Sequence, residues 1–126
     1  MTVLDASAVL ALVHDEPGAD EVAKALPGAI LSAVNLAEVV GKLVDADVEA
    51  QRLRTLLVSA GVTIEPFGAD DAELAGALRS VAGGRALSLG DCCCLALAVR
   101  SDPAEVLTGD RAWAGLDIPV RVVLFR

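Results

Sequence analysis

Four acidic residues of this sequence stand where their carboxylates could do chemistry together. Asp5 ends a short apolar run near the start, Glu38 lies in "SAVNLAE", Asp91 in "SLGD" and Asp110 in "VLTGD". Carboxylate oxygens are the ligands that Mg²⁺ and Mn²⁺ prefer in proteins. Carboxylates that gather in one place repel one another, so a cluster of them needs a cation. The chemistry that these residues predict, if the fold assembles them, is that of a divalent-metal site.

Each of these acids also has a purely structural interpretation. Asp5 and Asp110 could cap the helices that follow them. Two further acids have the spacing of a capping box, in which the acid returns a hydrogen bond to the backbone of the capping residue: Asn35 with Glu38, and Ser88 with Asp91. Capping explains why acids begin helices, but it does not require them at the ends of buried strands. Both interpretations stay open at this point.

The three cysteines of the chain follow Asp91 in one run, "SLGDCCCLALAV". Neighbouring residues of a helix point about 100° apart, so these thiols cannot form a disulfide framework, which favours a reducing compartment. A zinc site is disfavoured, because its ligands must be spaced to converge and need partners such as histidine, and His14 is the only histidine. We expect Cys92, Cys93 and Cys94 to be small buried residues of the core.

Length and composition indicate one domain over residues 1–126, with a core of Ala, Val and Leu, because 55% of the residues are hydrophobic and only 2% aromatic. No apolar run is long enough to span a membrane, and no basic region precedes the first one, so we expect a soluble, cytoplasmic protein. The net charge of −8 weighs against a general nucleic-acid-binding surface.

Short apolar runs alternate with helical patterns along the chain. Strands are predicted at residues 2–5, 29–32, 62–65, 105–108 and 120–125. Helices are predicted at residues 6–15, 19–26, 34–46, 48–60, 69–82 and 89–100, with a short one at 111–116. This alternation predicts a mostly parallel central sheet with helices on both faces, a three-layer α/β/α domain. Ligands of such sheets bind beyond the carboxyl ends of the strands, which is where the acids should meet.

Four blocks of the chain resemble, in order, the conserved blocks of PIN-domain ribonucleases of the VapC toxin type: "VLDASAVLALVHDEPGAD", "SAVNLAEV", "LSLGDCCCLALA" and "LTGDRAW". The similarity covers essentially the whole chain, including the final "VRVVLFR". It implies a PIN-like domain and a Mg²⁺- or Mn²⁺-dependent endoribonuclease that is toxic when free and neutralised by a cognate antitoxin. It also implies that the acids at 5, 38, 91 and 110 hold the metal and that hydroxyls at Ser7 and Thr108 support it.

One position departs from the family pattern. Cys92 stands where the family often carries arginine after the aspartate, and we expect residue 92 beside Asp91 at the mouth of the site. A basic group near the RNA or the antitoxin would then be missing. Arg111 and Arg85 are the candidates for contacts with RNA, and solvated surface is the equally weighted alternative for both.

Phosphodiester hydrolysis needs an aligned nucleophile and neutralisation of developing negative charge, and carboxylate-held Mg²⁺ supplies both. A receiver domain would need a lysine at a late strand end, whereas Lys24 and Lys42 lie in early helices. A haloacid-dehalogenase-type phosphatase would need an aspartate where Ser7 stands. The alternative from another class is a catalytically silent PIN fold that only binds a partner.

The predicted third helix carries more apolar residues than one stripe requires. They are Val34, Leu36, Val39, Val40, Leu43 and Val44. Part of this set is expected in the core. The excess predicts a protein interface, and the family resemblance implies a homodimer that binds an antitoxin.

Overall fold

Five short strands form the central sheet of the protein in a computed structural model that describes residues 1–81 and 83–126. The strands are β1 (Val3–Leu4), β2 (Ile30–Ser32), β3 (Thr63–Glu65), β4 (Glu105–Thr108) and β5 (Arg121–Leu124). Their order in the sheet is β3-β2-β1-β4-β5, and every neighbouring pair is parallel. The predicted parallel sheet is confirmed.

In the part of the chain that the structure describes, six α-helices and three 3₁₀ turns connect these strands. The helices are α1 (Ala6–Val13), α2 (Ala19–Ala25), α3 (Ala33–Asp45), α4 (Leu53–Ser59), α5 (Ala69–Ala77) and α6 (Leu89–Val99). The 3₁₀ turns are Leu78–Ser80, Gly84–Ala86 and Arg111–Gly115. None of the helices that the structure describes is long and apolar enough to cross a membrane.

Two hydrophobic clusters cover the two faces of the sheet, because alternate residues of a strand point to opposite sides. Leu4 of β1 packs in one cluster with residues of α1 to α4. Val3, the preceding residue, packs in the other cluster with residues of α5 and α6. This arrangement confirms the predicted three-layer α/β/α architecture.

The strand order reverses its direction between β1 and β4. From β1 the chain moves outward through β2 and β3, and it then crosses to β4 and β5 on the other side. Asp5 directly follows β1, and its backbone N–H donates to the carbonyl oxygen of Leu107 in β4 (3.2 Å). The crevice beyond such a switch point is the usual ligand site of an open parallel sheet.

Several predicted boundaries differ from the structure. The helix predicted at 48–60 begins only at Leu53, because Asp47 adopts a positive φ of 57° and the N–H of Val48 donates back to the Leu43 carbonyl (2.8 Å). These contacts end α3 and reverse the chain. The helix predicted at 69–82 ends at Ala77 and continues as a 3₁₀ turn. Its predicted last residue, Ala82, lies outside the described residues.

Residues 92–98 of helix α6 are all buried, which confirms the prediction that the cysteines are core residues. Cys92, Cys93 and Cys94 are 2%, 3% and 0% exposed. The expectation that residue 92 lies at the mouth of the site is wrong, because its side chain packs into the α5–α6 side of the core. Burial raises the pKa of all three thiols, so they are protonated and uncharged at neutral pH.

Most of the apolar excess on α3 also belongs to the core. Val39 and Leu43 are buried, and Val34, Leu36 and Val40 are half-buried against the two clusters. Val44 alone of this set is largely exposed, at 60%. The sequence pattern therefore overstated the surface that α3 offers to a partner.

Candidate active site

Asp5 is the most enclosed of the four acids, at 5% exposed, and it is held by three donors. Its Oδ1 accepts hydrogen bonds from the Ser7 hydroxyl (2.7 Å) and the Ala8 backbone N–H (2.8 Å). Its Oδ2 accepts one from the Thr108 hydroxyl (2.5 Å). The bond from Ala8 caps α1, so the predicted capping role of Asp5 is confirmed.

The two hydroxyls that contact Asp5 also tie the loops together. Ser7 Oγ accepts from the Gly109 N–H (3.0 Å), and Thr108 Oγ1 accepts from the Asp110 N–H (3.0 Å). The start of α1 and the end of β4 are thereby joined through side chains on either side of Asp5. The resemblance implies that these two hydroxyls support a metal site, and that role stays a prediction.

Asp91 and Asp110 each commit one oxygen to a helix start. Asp91 Oδ2 accepts from the Ser88 N–H (3.0 Å), while Ser88 Oγ accepts from the Asp91 N–H (3.1 Å), which confirms this capping box. Asp110 Oδ1 accepts from the Ala112 N–H (3.0 Å) and caps the turn Arg111–Gly115. Each carboxylate keeps its second oxygen for another partner.

The capping box expected for Asn35 and Glu38 is wrong. Helix α3 begins one turn earlier than that pairing requires, with Ser32 as its cap and with Glu38 in its second turn. Asn35 is instead a buried helical residue, and its Nδ2 donates to Glu38 Oε1 (3.2 Å). Glu38 therefore has no capping role, and its carboxylate is turned toward α6.

All four acids line one cleft of about 280 Å³ at the carboxyl edge of the sheet. Four separate segments of the chain supply them, as the parallel topology predicts. Among the residues that the structure describes, no three Asp, Glu, His or Cys side chains lie close enough to hold one ion as they stand. The acids thus share a cleft, and a cation bound there would be held partly through water or after small movements of the side chains.

Burial raises the pKa of Asp5 above its ordinary value of 3.8, and the negative charge of Asp91 adds to this effect. The hydrogen bonds from Ser7, Thr108 and Ala8 oppose the shift without cancelling it. A carboxylate in this state is stabilised by a neighbouring cation. Asp5, the most enclosed acid of the cleft, therefore has too little positive charge around it to offset the cost of burying its carboxylate.

Two basic side chains line this cleft, and they are not the two that the sequence singled out. Lys42 lies one helical turn after Glu38, and Arg126 follows β5. Arg126 packs closely over Gly109, where a Cβ would lie 2.8 Å from its Nε. Arg111 and Arg85 are exposed residues of two 3₁₀ turns and are not among the residues lining the cleft. Their predicted contacts with RNA stay predictions.

Signals for the missed cleft residues were present in the sequence. Asn35 and Lys42 stand three before and four after Glu38, and residues at these spacings share a helix face. Arg126 directly follows a predicted strand of a parallel sheet, so it had to reach the same edge as the acids.

The donor set fits a hard divalent cation. Carboxylates at 5, 38, 91 and 110 offer oxygen ligands only, and the Cys94 thiol that also lines the cleft is kept protonated by burial, which raises its pKa. The buried Oδ1 of Asn35, also in the cleft lining, accepts no hydrogen bond from the residues described. Such an unsatisfied oxygen suits a water of a hydrated ion as donor.

Comparison with known proteins agrees with this fold. The family model for the PIN domain matches residues 2–118, so the chain belongs to the PIN-domain family. The resemblance predicted from the four sequence blocks is thereby confirmed. No curated protein sequence matches the chain significantly.

Solved structures with this fold come from several bacteria. A toxin–antitoxin complex from Klebsiella pneumoniae is 26% identical, with a TM-score of 0.76 over 100% of this chain and 98% of that chain. VapBC2 from Rickettsia felis, bound to a promoter DNA fragment, is 14% identical, with a TM-score of 0.69 over 98% and 97%. VapC20 from Mycobacterium tuberculosis, a toxin that cleaves the sarcin–ricin loop, is 20% identical, with a TM-score of 0.67 over 96% and 99%.

Proposed function

We propose that this protein is a Mg²⁺- or Mn²⁺-dependent endoribonuclease and the toxin of a toxin–antitoxin pair. The observation that carries the proposal is that four carboxylates from four separate segments line one cleft at the switch point of the sheet. Membership of the PIN-domain family and the similarity to a toxin–antitoxin complex support it. A cytoplasmic location follows from the proposed substrate.

The acids of the cleft would have different roles, according to the side chains that surround each of them. Asp5, Asp91 and Asp110 would hold the cation, with Asp5 fixed in orientation by Ser7 and Thr108. Glu38 would complete the coordination or orient the attacking water. When bound, the divalent ion would lower the pKa of a water and polarise the phosphoryl oxygens. The negative charge of these carboxylates would repel anions other than one that the bound cation attracts.

Lys42 and Arg126 would contact the RNA backbone. They are the basic side chains of the cleft lining, and they stand on α3 and after β5. Phosphate contacts from such cations position a nucleic acid without reading its sequence. A chain of net charge −8 therefore binds RNA through a local pair of cations and not through a general basic surface.

A cognate antitoxin and a second copy of the chain are the proposed protein partners. An exposed apolar groove of about 300 Å³ lies between α1 and α4, with Val13 and Leu56 among its lining residues. Exposed apolar surface of this kind is a common feature of protein interfaces. We expect the purified protein to sediment as a dimer at micromolar concentration, and a strict monomer would count against this assembly.

The experiment that tests the nuclease is cleavage of a mixed RNA substrate with Mg²⁺, with Mn²⁺ and with EDTA. We expect cleavage only with the metals and its loss in Asp91→Asn. The matched control is Asp20→Asn, since Asp20 is also an acid in the first turn of a helix but lies outside the cleft. Folded wild-type protein that cleaves no RNA under any metal would instead support the catalytically silent, partner-binding alternative.

A further inference from the structure

The buried side chain of Asn35 joins two helices of the cleft. Asn35 is 1% exposed, and its Nδ2 donates to Glu38 Oε1 (3.2 Å) on its own helix and to the Gly90 carbonyl (3.1 Å) on α6. Both partners are acceptors only, so the orientation of the amide is fixed, because a flipped amide would set its oxygen against two oxygens.

Gly90 of α6 lies against the Glu38 carboxylate. A Cβ at residue 90 would lie 2.7 Å from Glu38 Oε1 and 3.0 Å from its Cδ. Real side-chain atoms do not approach so closely, so only glycine lets the Glu38 carboxylate rest against the first turn of α6. Asp91, the next residue, is another acid of the cleft.

A purely structural link between α3 and α6 does not explain why residue 35 is asparagine. Asn35 Oδ1 is buried and accepts no hydrogen bond from the described residues, and leaving such an oxygen unpaired costs folding free energy. A leucine has nearly the shape of asparagine and would fill the space without that cost. What leucine cannot do is donate to the Glu38 carboxylate.

We infer that Asn35, together with the absence of a side chain at Gly90, is a positioning device that fixes the Glu38 carboxylate in the metal cleft. Asn35 acts through Glu38 and the backbone of α6, so it is a positioning residue. The inference rests on the proposed function, because Glu38 needs a fixed orientation only if it serves a cation or the attacking water. Groups that orient metal ligands typically change metal affinity or activity by about 10- to 100-fold.

The test measures Mn²⁺ affinity by calorimetry, together with kcat and KM for RNA cleavage and the melting temperature. Asn35→Leu removes the donor at nearly constant shape, and Gly90→Ala displaces the carboxylate while Asn35 stays. We expect both variants to bind Mn²⁺ about 10-fold more weakly or worse and to lose kcat with little change in KM. Neither should melt below the wild type by more than its control.

Two matched controls separate positioning from stability. Ser32→Ala removes the cap of α3, whose Oγ accepts from the Val34 N–H (3.2 Å), without touching Glu38. Gly76→Ala is a helical glycine substitution with open space around the new Cβ. We expect both controls to keep the wild-type Mn²⁺ affinity and kcat.

The outcomes are distinct. If Asn35→Leu and Gly90→Ala match their controls in Mn²⁺ affinity and kcat, the positioning role is refuted while the nuclease stands. If Asn35→Leu fails to fold, Gly90→Ala decides alone. If the wild type neither binds Mn²⁺ nor cleaves RNA, the proposed function fails and the inference fails with it.

Discussion

At the scale of single residues, the structural and chemical interpretations of the acids are not exclusive. Asp5, Asp91 and Asp110 each accept one hydrogen bond from a backbone N–H at the start of a helix or turn, and each also lines the cleft. The cap fixes the orientation of the carboxylate, and a fixed carboxylate is a better ligand than a mobile one. Glu38, which caps nothing, has Asn35 in place of a cap.

Asp5→Asn should leave the metal-free protein as stable as the wild type or more stable at neutral pH. Burial raises the pKa of Asp5, so ionising this carboxyl opposes folding. The stability lost by ionisation is present below pH 3.8 and disappears as the pH rises through the higher pKa of the folded state. The advantage of the variant should therefore shrink toward zero below about pH 4. Melting curves across pH measure this difference.

Added Mn²⁺ should stabilise the wild type more than Asp5→Asn. Mn²⁺ at 100 times its Kd should stabilise the wild type by about 2.7 kcal/mol, because the ion binds only the folded chain. Asp5→Asn should gain much less from the same concentration and should not cleave RNA. Equal shifts in both proteins, or none in either, would remove the physical basis of the metal site.

Replacing Cys92, Cys93 and Cys94 together by alanine should lower stability and leave Mn²⁺ binding intact. Their thiols are buried and uncharged, so each truncation costs packing, by about 1 kcal/mol. Denaturant unfolding measures the loss, and calorimetry measures the metal affinity. Loss of Mn²⁺ affinity in a folded triple variant would show that the sulfurs serve the site.

The sequence predicted the acids of the cleft better than their neighbours. Asp5 and Asp110 follow buried strands, and that position alone brings them to one edge. The contact between Asn35 and Gly90 spans 55 residues and depends on how α3 packs against α6. No local pattern encodes a contact of this kind, although the shared face of Asn35 and Glu38 was visible.

At the scale of elements, one ion pair fastens the helices that cover the second face of the sheet. Arg100, at the end of α6, donates from Nε to Asp71 Oδ1 (2.6 Å) in the first turn of α5. Asp71 Oδ2 also accepts from the Gly68 N–H (3.1 Å) at the start of α5. The Asp71 carboxylate thus stabilises the start of α5 and holds it against the end of α6.

Asp71→Asn should destabilise the protein by about 1 kcal/mol at pH 7, within the usual range for a helix start that loses its acceptor. The bond from Gly68, followed by Arg100, holds the pKa of Asp71 below its ordinary value of 3.8. The stability from this carboxylate is present above pH 3.8 and is lost as the pH falls through the lower pKa of the folded state. Denaturant curves at pH 7 and pH 3 should show the gap between the two proteins closing in acid.

Some helices and turns were not predicted correctly from the sequence. Strands and helices with strong apolar patterns were located to within a few residues. The helix predicted at 48–60 was too long because the pattern does not reveal that Asp47 adopts a left-handed conformation. The turn Gly84–Ala86 was missed because a single 3₁₀ turn carries no repeat for a pattern to detect.

The charge distribution of the whole molecule limits how the proposed RNA substrate could bind. The net charge is −8, and the cleft carries its four candidate metal ligands beside Lys42 and Arg126. Association of the proposed nuclease with RNA would therefore depend on few phosphate contacts. Long-range attraction of the kind seen in strongly basic proteins is excluded by the overall charge.

RNA binding should consequently depend only weakly on salt. Two phosphate contacts predict that the logarithm of the binding constant falls with the logarithm of salt concentration with a slope of about −1.4 for a single strand. Lys42→Gln should reduce this slope to about −0.7 and weaken binding to all sequences alike. Titrations of catalytically inactive Asp91→Asn with RNA at several salt concentrations measure it. A slope near −5 would instead indicate a larger basic surface elsewhere on the chain and would contradict the two-contact proposal.

The chain has one tryptophan and no tyrosine, so its ultraviolet fluorescence comes from a single indole. That indole, Trp113, is 1% exposed and lies in the turn that Asp110 caps, against the cleft. Its emission should be blue-shifted in the native protein, as for an indole in apolar surroundings, and should move to the red on unfolding. Because the same ring lines the cleft, a cation that turns Asp110 should also change its intensity. The protein thus carries its own optical probe, at the place where binding and unfolding can be followed without a label.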